Sequence, residues 1–325
     1  AITAEHIRAL LSKPYALDAL EYACTASLGI TLIRGDGSSA DEMLKQADIA
    51  MYQAKAAGRN AFRFYSAYMQ DAIQSRALLE QELHVAVGLN QFTLYYQQQV
   101  DGDDVVVGAE ALIRWNHPTR GVVLPDQFIP FAEETGLITA IGTWVIESAC
   151  AQLRRWADDT ATAQLTLSLN VSAHQFRQAT FVSSVRQAMQ RHSVNPDRLM
   201  LEITESVMLD NVDASITKMN ELVRAGVRFA LDDFGTGHSS LSYLTRLPIA
   251  QLKIAQPFIN NIGTNASDTV VIQTIVGMAK NLGLEVIAEG VETDRQRRYL
   301  AEQGCQLGQG VVVEILVGHG LYLFG

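Results

Sequence analysis

From Gln91 onward the chain alternates short apolar runs with longer amphipathic ones, and this rhythm most constrains what it can fold into. The strand-like runs are FTLYYQQQV (92–100), VVVGAEALIRW (105–115), LTLSLNVS (165–172), LMLEITES (199–206), VRFALDD (227–233), AQLKIA (250–255), LEVIAEGVE (284–292) and CQLGQGVVV (305–313). Helical patterns such as QFIPFAEETGLITAIGTWVIESACAQLRRWA and TVVIQTIVGMAKNLG lie between most of them. Strands alternating with helices form βα units on a mostly parallel sheet. Eight strands over roughly 220 residues predict a closed (β/α)8 barrel. The alternative is an open doubly wound sheet, but no GxGxxG turn follows the first strand. A short DGDD turn joins the first two strands, so these should be antiparallel.

The polar residues inside these runs carry the chemistry. In such a barrel the C-terminal strand ends build the active site. Glu110, Asn170, Glu202, Asp232 with Asp233, Lys253, Glu289 and Gln309 occupy seven of the eight runs, each within or at the end of apolar sequence. One such residue is usually a satisfied core polar group. Seven converging on one mouth are hard to bury without a ligand, because unpaired carboxylates there cost several kcal/mol.

Five carboxylates and one amide oxygen are hard ligands, and no His or Cys joins them, so the set favours Mg2+ or Mn2+ over zinc or copper. Five acids exceed the needs of one divalent ion. A carboxylate shared by two ions accounts for adjacent aspartates, and two ions suit in-line attack of water on a phosphodiester. Taken alone, Asp232-Asp233 before Gly235 reads better as a solvated turn than as a cation site. Arg228, the only strong base nearby, is about 13 Å away along an extended strand. Lys253 either supplies charge to the attacking water and transition state or forms a salt bridge with one of the acids.

Composition closes other routes. The net charge is −10 and the pI about 5.2, which argues against a duplex-DNA binder. Three dispersed cysteines suggest neither a disulfide framework nor a zinc cluster, and suit the cytoplasm. The most apolar run, Gly310 to Val317, is too short to span a bilayer, so no membrane contact is expected within the chain.

Residues 1 to about 75 read as a separate α/β unit. ACTASLGITLI (23–33) has the composition of a buried strand, and residues 38–58 and 75–91 read as helices, the latter bridging two units.

The ordered motifs EALIRW, NVS, EITES, DDFGTG, LKI, AEGVE and QG, over about residues 76–310, resemble the EAL family of cyclic-di-GMP phosphodiesterases. The resemblance implies a TIM-like barrel with a reversed first strand and hydrolysis of cyclic di-GMP to linear pGpG. It implies that Glu110, Asn170, Glu202 and Asp232 hold one metal, and Asp232, Asp233 and Glu289 a second, with Ca2+ inhibitory. It assigns catalysis to Glu110, Asp233, Lys253 and Glu289. It assigns ligand contacts to Gln97, Arg114, Pro130 and Gln309, with Arg114 on a substrate phosphate. Glu205 braces the DDFGTGHSS loop, which couples metal binding to a homodimer. The alternative within the family is a weak or inactive cyclic-di-GMP receptor.

TASLGIT, ADEMLKQADIAMYQAKAAGRN and the FY that follows resemble the second half of a GGDEF, or diguanylate cyclase, domain, without the signature itself. The expected division is therefore a partial GGDEF-like unit over 1–75 and an EAL unit over 76–325. Upstream segments could anchor the parent protein to the inner membrane. The sequence departs from the EAL pattern at Ala255, where Asp is usual, and at Gln98, where Pro is usual. VVVEILVGHGL (311–321) intervenes before YLFG, an atypical tail that puts closure of the barrel in question.

Overall fold

A computed structural model describes residues 2–17, 20–22, 24–33, 39–56, 58–208, 211–235, 244–305 and 307–310. The chain divides into two compact units, Ala1–Glu82 and Leu83–Gly325.

In the first unit, β1 (Tyr15–Leu17) and β2 (Leu20–Tyr22) form an antiparallel pair, and β3 (Leu28–Ile30) runs parallel to β4 (Phe62–Phe64). The helix Ala40–Ala56 lies on β3 and buries Ala50 and Ala54 completely. Contact is close enough to require glycine: a Cβ at Gly29 would sit 1.9 Å from the Ala47 carbonyl oxygen. The strand expected over 23–33 is realised only as β3. The helix Ala67–Gly88 crosses from one unit into the next, beginning earlier than the expected 75.

The second unit is a closed barrel of eight strands: β5 (Phe92–Val100), β6 (Val106–His117), β8 (Thr166–Val171), β9 (Leu199–Thr204), β10 (Arg228–Phe234), β11 (Gln251–Ile254), β12 (Glu285–Glu289) and β13 (Leu307–Gln309). A short β7 (Gly121–Val123) hangs on the far end of β6. Successive strands from β6 to β13 pair in parallel, apart from β7. β5 is antiparallel to both neighbours, β6 and β13. The reversed first strand is thus present, and closure through β5 excludes the open sheet. The pairs Gly308↔Val100 and Gln309↔Gln99 complete the ring before residue 311. The atypical tail after 310 and the loop from Thr236 to Ser240 lie outside the described residues.

Outer faces of the strands pack under the helices in one core that includes Leu167, Leu169, Leu201, Phe229, Leu231 and Leu252. Local signals set the helix limits. Gly136 (φ 78°) splits the long helical pattern into Pro125–Thr135 and Ile138–Ala157. Thr293 and Gln296 form a capping box at Asp294–Gln303. Among the described residues no helix is long and apolar enough to cross a membrane.

Candidate active site

Parallel pairing brings the polar strand residues to one end of the barrel axis. Lys253 on β11 is fully buried at the centre of the group. Its ammonium lies 2.5 Å from Glu202 Oε2, 2.6 Å from Glu289 Oε1, 3.2 Å from Glu110 Oε2 and 3.4 Å from Asp232 Oδ1. Both sequence readings of Lys253 therefore concern one place, since the lysine pairs with four acids at once. Burial would lower its pKa, but Glu202, Glu110, Asp232 and Glu289 hold it well above the ordinary lysine value.

The acids are not equivalent. Burial pushes Glu202 well up, with repulsion from Glu110 and Asp232 exceeding the help from Lys253. Burial also raises Asp232, and raises Glu289 to about 7. Burial opposes ionisation of Glu110 too, yet Lys253, Gln309 and Asn170 outweigh it and lower its pKa. Asn170 Nδ2 donates to Glu110 Oε1 at 2.5 Å, and Gln309 Nε2 donates to Glu110 Oε2 at 2.6 Å.

Adjacent residues of a regular strand face opposite ways, so two neighbouring aspartates should not share a site. The structure resolves this with a bulge. Leu231 pairs with Leu252 and Phe234 with Ile254, so that Asp232 and Asp233 together stand opposite Lys253. Asp233 takes φ 52°, a left-handed conformation that Asp tolerates better than most residues. Its N–H donates to Asp232 Oδ1 at 2.9 Å. Carboxylate oxygens of Asp232, Asp233 and Glu289 lie within 4.8 Å of one another, so these three could hold a metal ion.

Of the other expected residues, Gln97 lies opposite Glu110 in the β5–β6 register, accepts from Gln309 Nε2 at 2.9 Å and donates to the Gly310 carbonyl. Arg114 lies over the Tyr95 ring, 5.3 Å from its centroid, and donates to the Ile113 carbonyl at 3.0 Å. Burial lowers its pKa, while Tyr95, Asp126 and Glu110 act the other way. Pro130, Asn170 and Glu202 line a cavity of about 910 Å3 that opens beside the acids. Glu205 begins a short 3-10 turn after β9, and most of the loop it was expected to brace lies outside the described residues.

Sequence reasoning missed several residues. Gln99 is buried and donates to Gln309 Oε1 at 3.2 Å. Its signal was the i, i+2 spacing of Gln97 and Gln99, which aims both at the barrel axis. His174, Arg177 and Glu133 line the cavity but sit on helices and carry no strand-end signature. Ala255 is fully buried and caps Gln256–Asn260 without a side-chain hydrogen bond. Gln98, which stands where Pro is usual, leaves a buried Nε2 without a hydrogen-bond partner.

Residues 80–314 match the EAL domain. The chain belongs to the EAL domain family. Residues 1–61 match the diguanylate cyclase, GGDEF domain, so a GGDEF fragment precedes the EAL barrel. The chain is 42% identical over 314 residues to the bifunctional diguanylate cyclase/cyclic di-GMP phosphodiesterase MucR of Pseudomonas aeruginosa, covering 96% of this chain and 46% of MucR. It is 38% identical over 310 residues to the cyclic di-GMP phosphodiesterase NbdA of the same organism, covering 95% of this chain and 40% of NbdA. It thus spans less than half the length of these curated relatives. The solved PaMucR phosphodiesterase in complex with c-di-GMP superimposes with TM-score 0.70 at 42% identity, over 75% of this chain and 97% of that one. The EAL enzyme Bd1971 in its cAMP and cyclic-di-GMP bound form gives TM-score 0.71 at 28% identity, over 85% of this chain and 73% of that one.

Proposed function

We propose that this EAL barrel is a metal-dependent phosphodiesterase that hydrolyses cyclic di-GMP to linear pGpG. The observation that carries the reading is a ring of four carboxylates facing a single ammonium, with Asp233 beside them, at the edge of the 910 Å3 cavity. The names of MucR and NbdA, and the c-di-GMP complex of PaMucR, supply the substrate class.

The residues fit divalent ions. Glu202 Oε1 is buried with no hydrogen-bond partner, although Oε2 of the same carboxylate is paired with Lys253. Such an oxygen costs free energy unless a cation satisfies it. All the acidic donors are hard oxygens, which suits Mg2+ or Mn2+. Glu110, Asn170, Glu202 and Asp232 would hold one ion, and Asp232, Asp233 and Glu289 the other. Divalent metal supplies Lewis acidity toward the phosphodiester and the attacking water.

The chain's own groups do the rest. Lys253 places fixed positive charge beside the reacting centre and keeps the carboxylates from repelling one another apart. Gln309, held by Gln97 and Gln99, fixes the rotamer of Glu110. Arg114 takes a substrate phosphate, and Pro130 forms part of the nucleotide wall. The same reading has Ca2+ occupying the acids without supporting turnover, and the EAL unit pairing as a homodimer.

The test is turnover of cyclic di-GMP with Mg2+ or Mn2+, followed by chromatography of the product. pGpG from the wild type and its loss in Glu110→Ala support the reading. No pGpG from the wild type, or an unchanged rate in Glu110→Ala, sinks it.

A further inference from the structure

The helix Ala173–Arg177 begins three residues after Asn170 and contributes His174, Gln175 and Arg177 to the cavity wall. Five residues are far too few to hold a helix by themselves, so the surroundings must fix this wall.

Three attachments are visible. Ser172 Oγ caps the helix by accepting the Gln175 N–H at 3.1 Å. The buried Gln175 side chain fills a notch at Gly142, where a Cβ would come within 2.3 Å of it. Phe176 is buried against Phe181 and Phe229, with ring centroids 5.2 and 6.5 Å away.

The C-terminal end is held differently. The carbonyl oxygens of Phe176, Arg177 and Gln178 all accept from Lys218 Nζ, at 2.9, 2.8 and 2.9 Å. An ammonium has three donors, and all three are used. Of the three carbonyls, that of Gln178 also accepts from the Phe181 N–H at 3.2 Å; a helix end carries negative partial charge, which a cation satisfies. Among the described residues Lys218 makes no ion pair. It lies on the helix Val212–Val223, between the strands bearing Glu202 and Asp232, and touches none of the clustered acids.

We propose that Lys218 is a positioning residue that locks the His174–Arg177 wall, so that the cavity is shaped for its nucleotide before binding. This rests on the cavity being the substrate site proposed above. A preformed wall spares the substrate the cost of ordering it, and that cost falls on binding rather than on the chemical step.

The test uses the full chain with Lys218→Met, Lys218→Arg and Ser215→Ala. Ser215 is buried on the same helix and bonds the Val207 carbonyl at 3.1 Å, not a carbonyl of the wall. Lys218→Met is expected to raise KM for cyclic di-GMP about tenfold with kcat within about twofold. Lys218→Arg, which keeps the charge and a donor fork, should recover part of the loss. Ser215→Ala should lower the melting temperature and leave KM in place. An unchanged KM in Lys218→Met, or an equal rise in Ser215→Ala, overturns the proposal. Amide exchange at residues 173–181 judges the clamp without any substrate. It should quicken in Lys218→Met alone, and unchanged protection there overturns the clamp whatever the cavity binds. Absence of turnover in the wild type overturns the proposed function instead, and the exchange result then decides on Lys218.

Discussion

Lys253 and Glu289 show how a single side chain can set the behaviour of the barrel mouth. Lys253 is the fully buried counterion of four acids, and removing one member of a buried charge cluster costs about 3–5 kcal/mol. Lys253→Met should lose stability of that order in EDTA at neutral pH, read from urea unfolding, and the deficit should shrink in acid as the carboxyls protonate. Turnover should fall about a hundredfold or more. Glu289 gives a pH signature. Burial raises it from 4.5 to about 7 in the folded chain. A carboxyl whose pKa rises on folding stabilises the fold while protonated, and that contribution is lost as pH climbs from the unfolded value through the folded one. Glu202 and Asp232 are raised and act in the same sense, while Glu110 is lowered and opposes them. The metal-free protein should therefore lose urea stability between about pH 5 and pH 7. Glu289→Gln should flatten the slope, and Mg2+ should offset the loss in the wild type. An unchanged slope in Glu289→Gln would remove Glu289 from this role.

At the scale of the element, the bulge in β10 decides how many ligands one strand can offer. Asp232→Asn is expected to cost both metals and Asp233→Asn mainly one, measured as bound Mn2+ per chain; equal metal content in the two variants would contradict the assignment. Asp233→Val adds backbone strain of about 1–2 kcal/mol at φ 52°, beyond the loss of a ligand. Thermal unfolding should separate it from Asp233→Asn. The barrel strands were legible in the sequence because apolar alternation and buried β-branched runs report directly on a two-faced strand. Their polar residues were legible because charge inside an apolar run is costly. The bulge was not, since it depends on register against β11 and on one dihedral angle, neither of which a single segment encodes. The break at Gly136 was equally hidden, because the helical periodicity of residues 125–157 continues across it. Gln99 was overlooked although its spacing from Gln97 was plain, because a glutamine in a strand bears no charge to demand explanation.

At the scale of the whole molecule, the two units invite separation. The solved PaMucR phosphodiesterase matches 75% of this chain along 97% of its own length, so the barrel has a counterpart that stands by itself. A chain beginning at Ala67 keeps the helix Ala67–Gly88 whole and is expected to melt in one transition and to hydrolyse cyclic di-GMP within about twofold of the full chain. Loss of cooperative melting would show that the first unit is required for folding. The seam that closes the ring has a further consequence for how the protein is made. Among the described residues β5 meets β13 through two residue pairs, and the hydrogen bond between Gln99 and Gln309 joins residues 210 apart. At about 5–20 residues per second, ribosomal synthesis leaves β5 waiting roughly 10–40 s for its second neighbour. Gln309 both seals the cylinder and steadies Glu110. A nascent chain therefore gains its shape and its chemistry together, only once Gln309 has been made, and a product terminated before it lacks both.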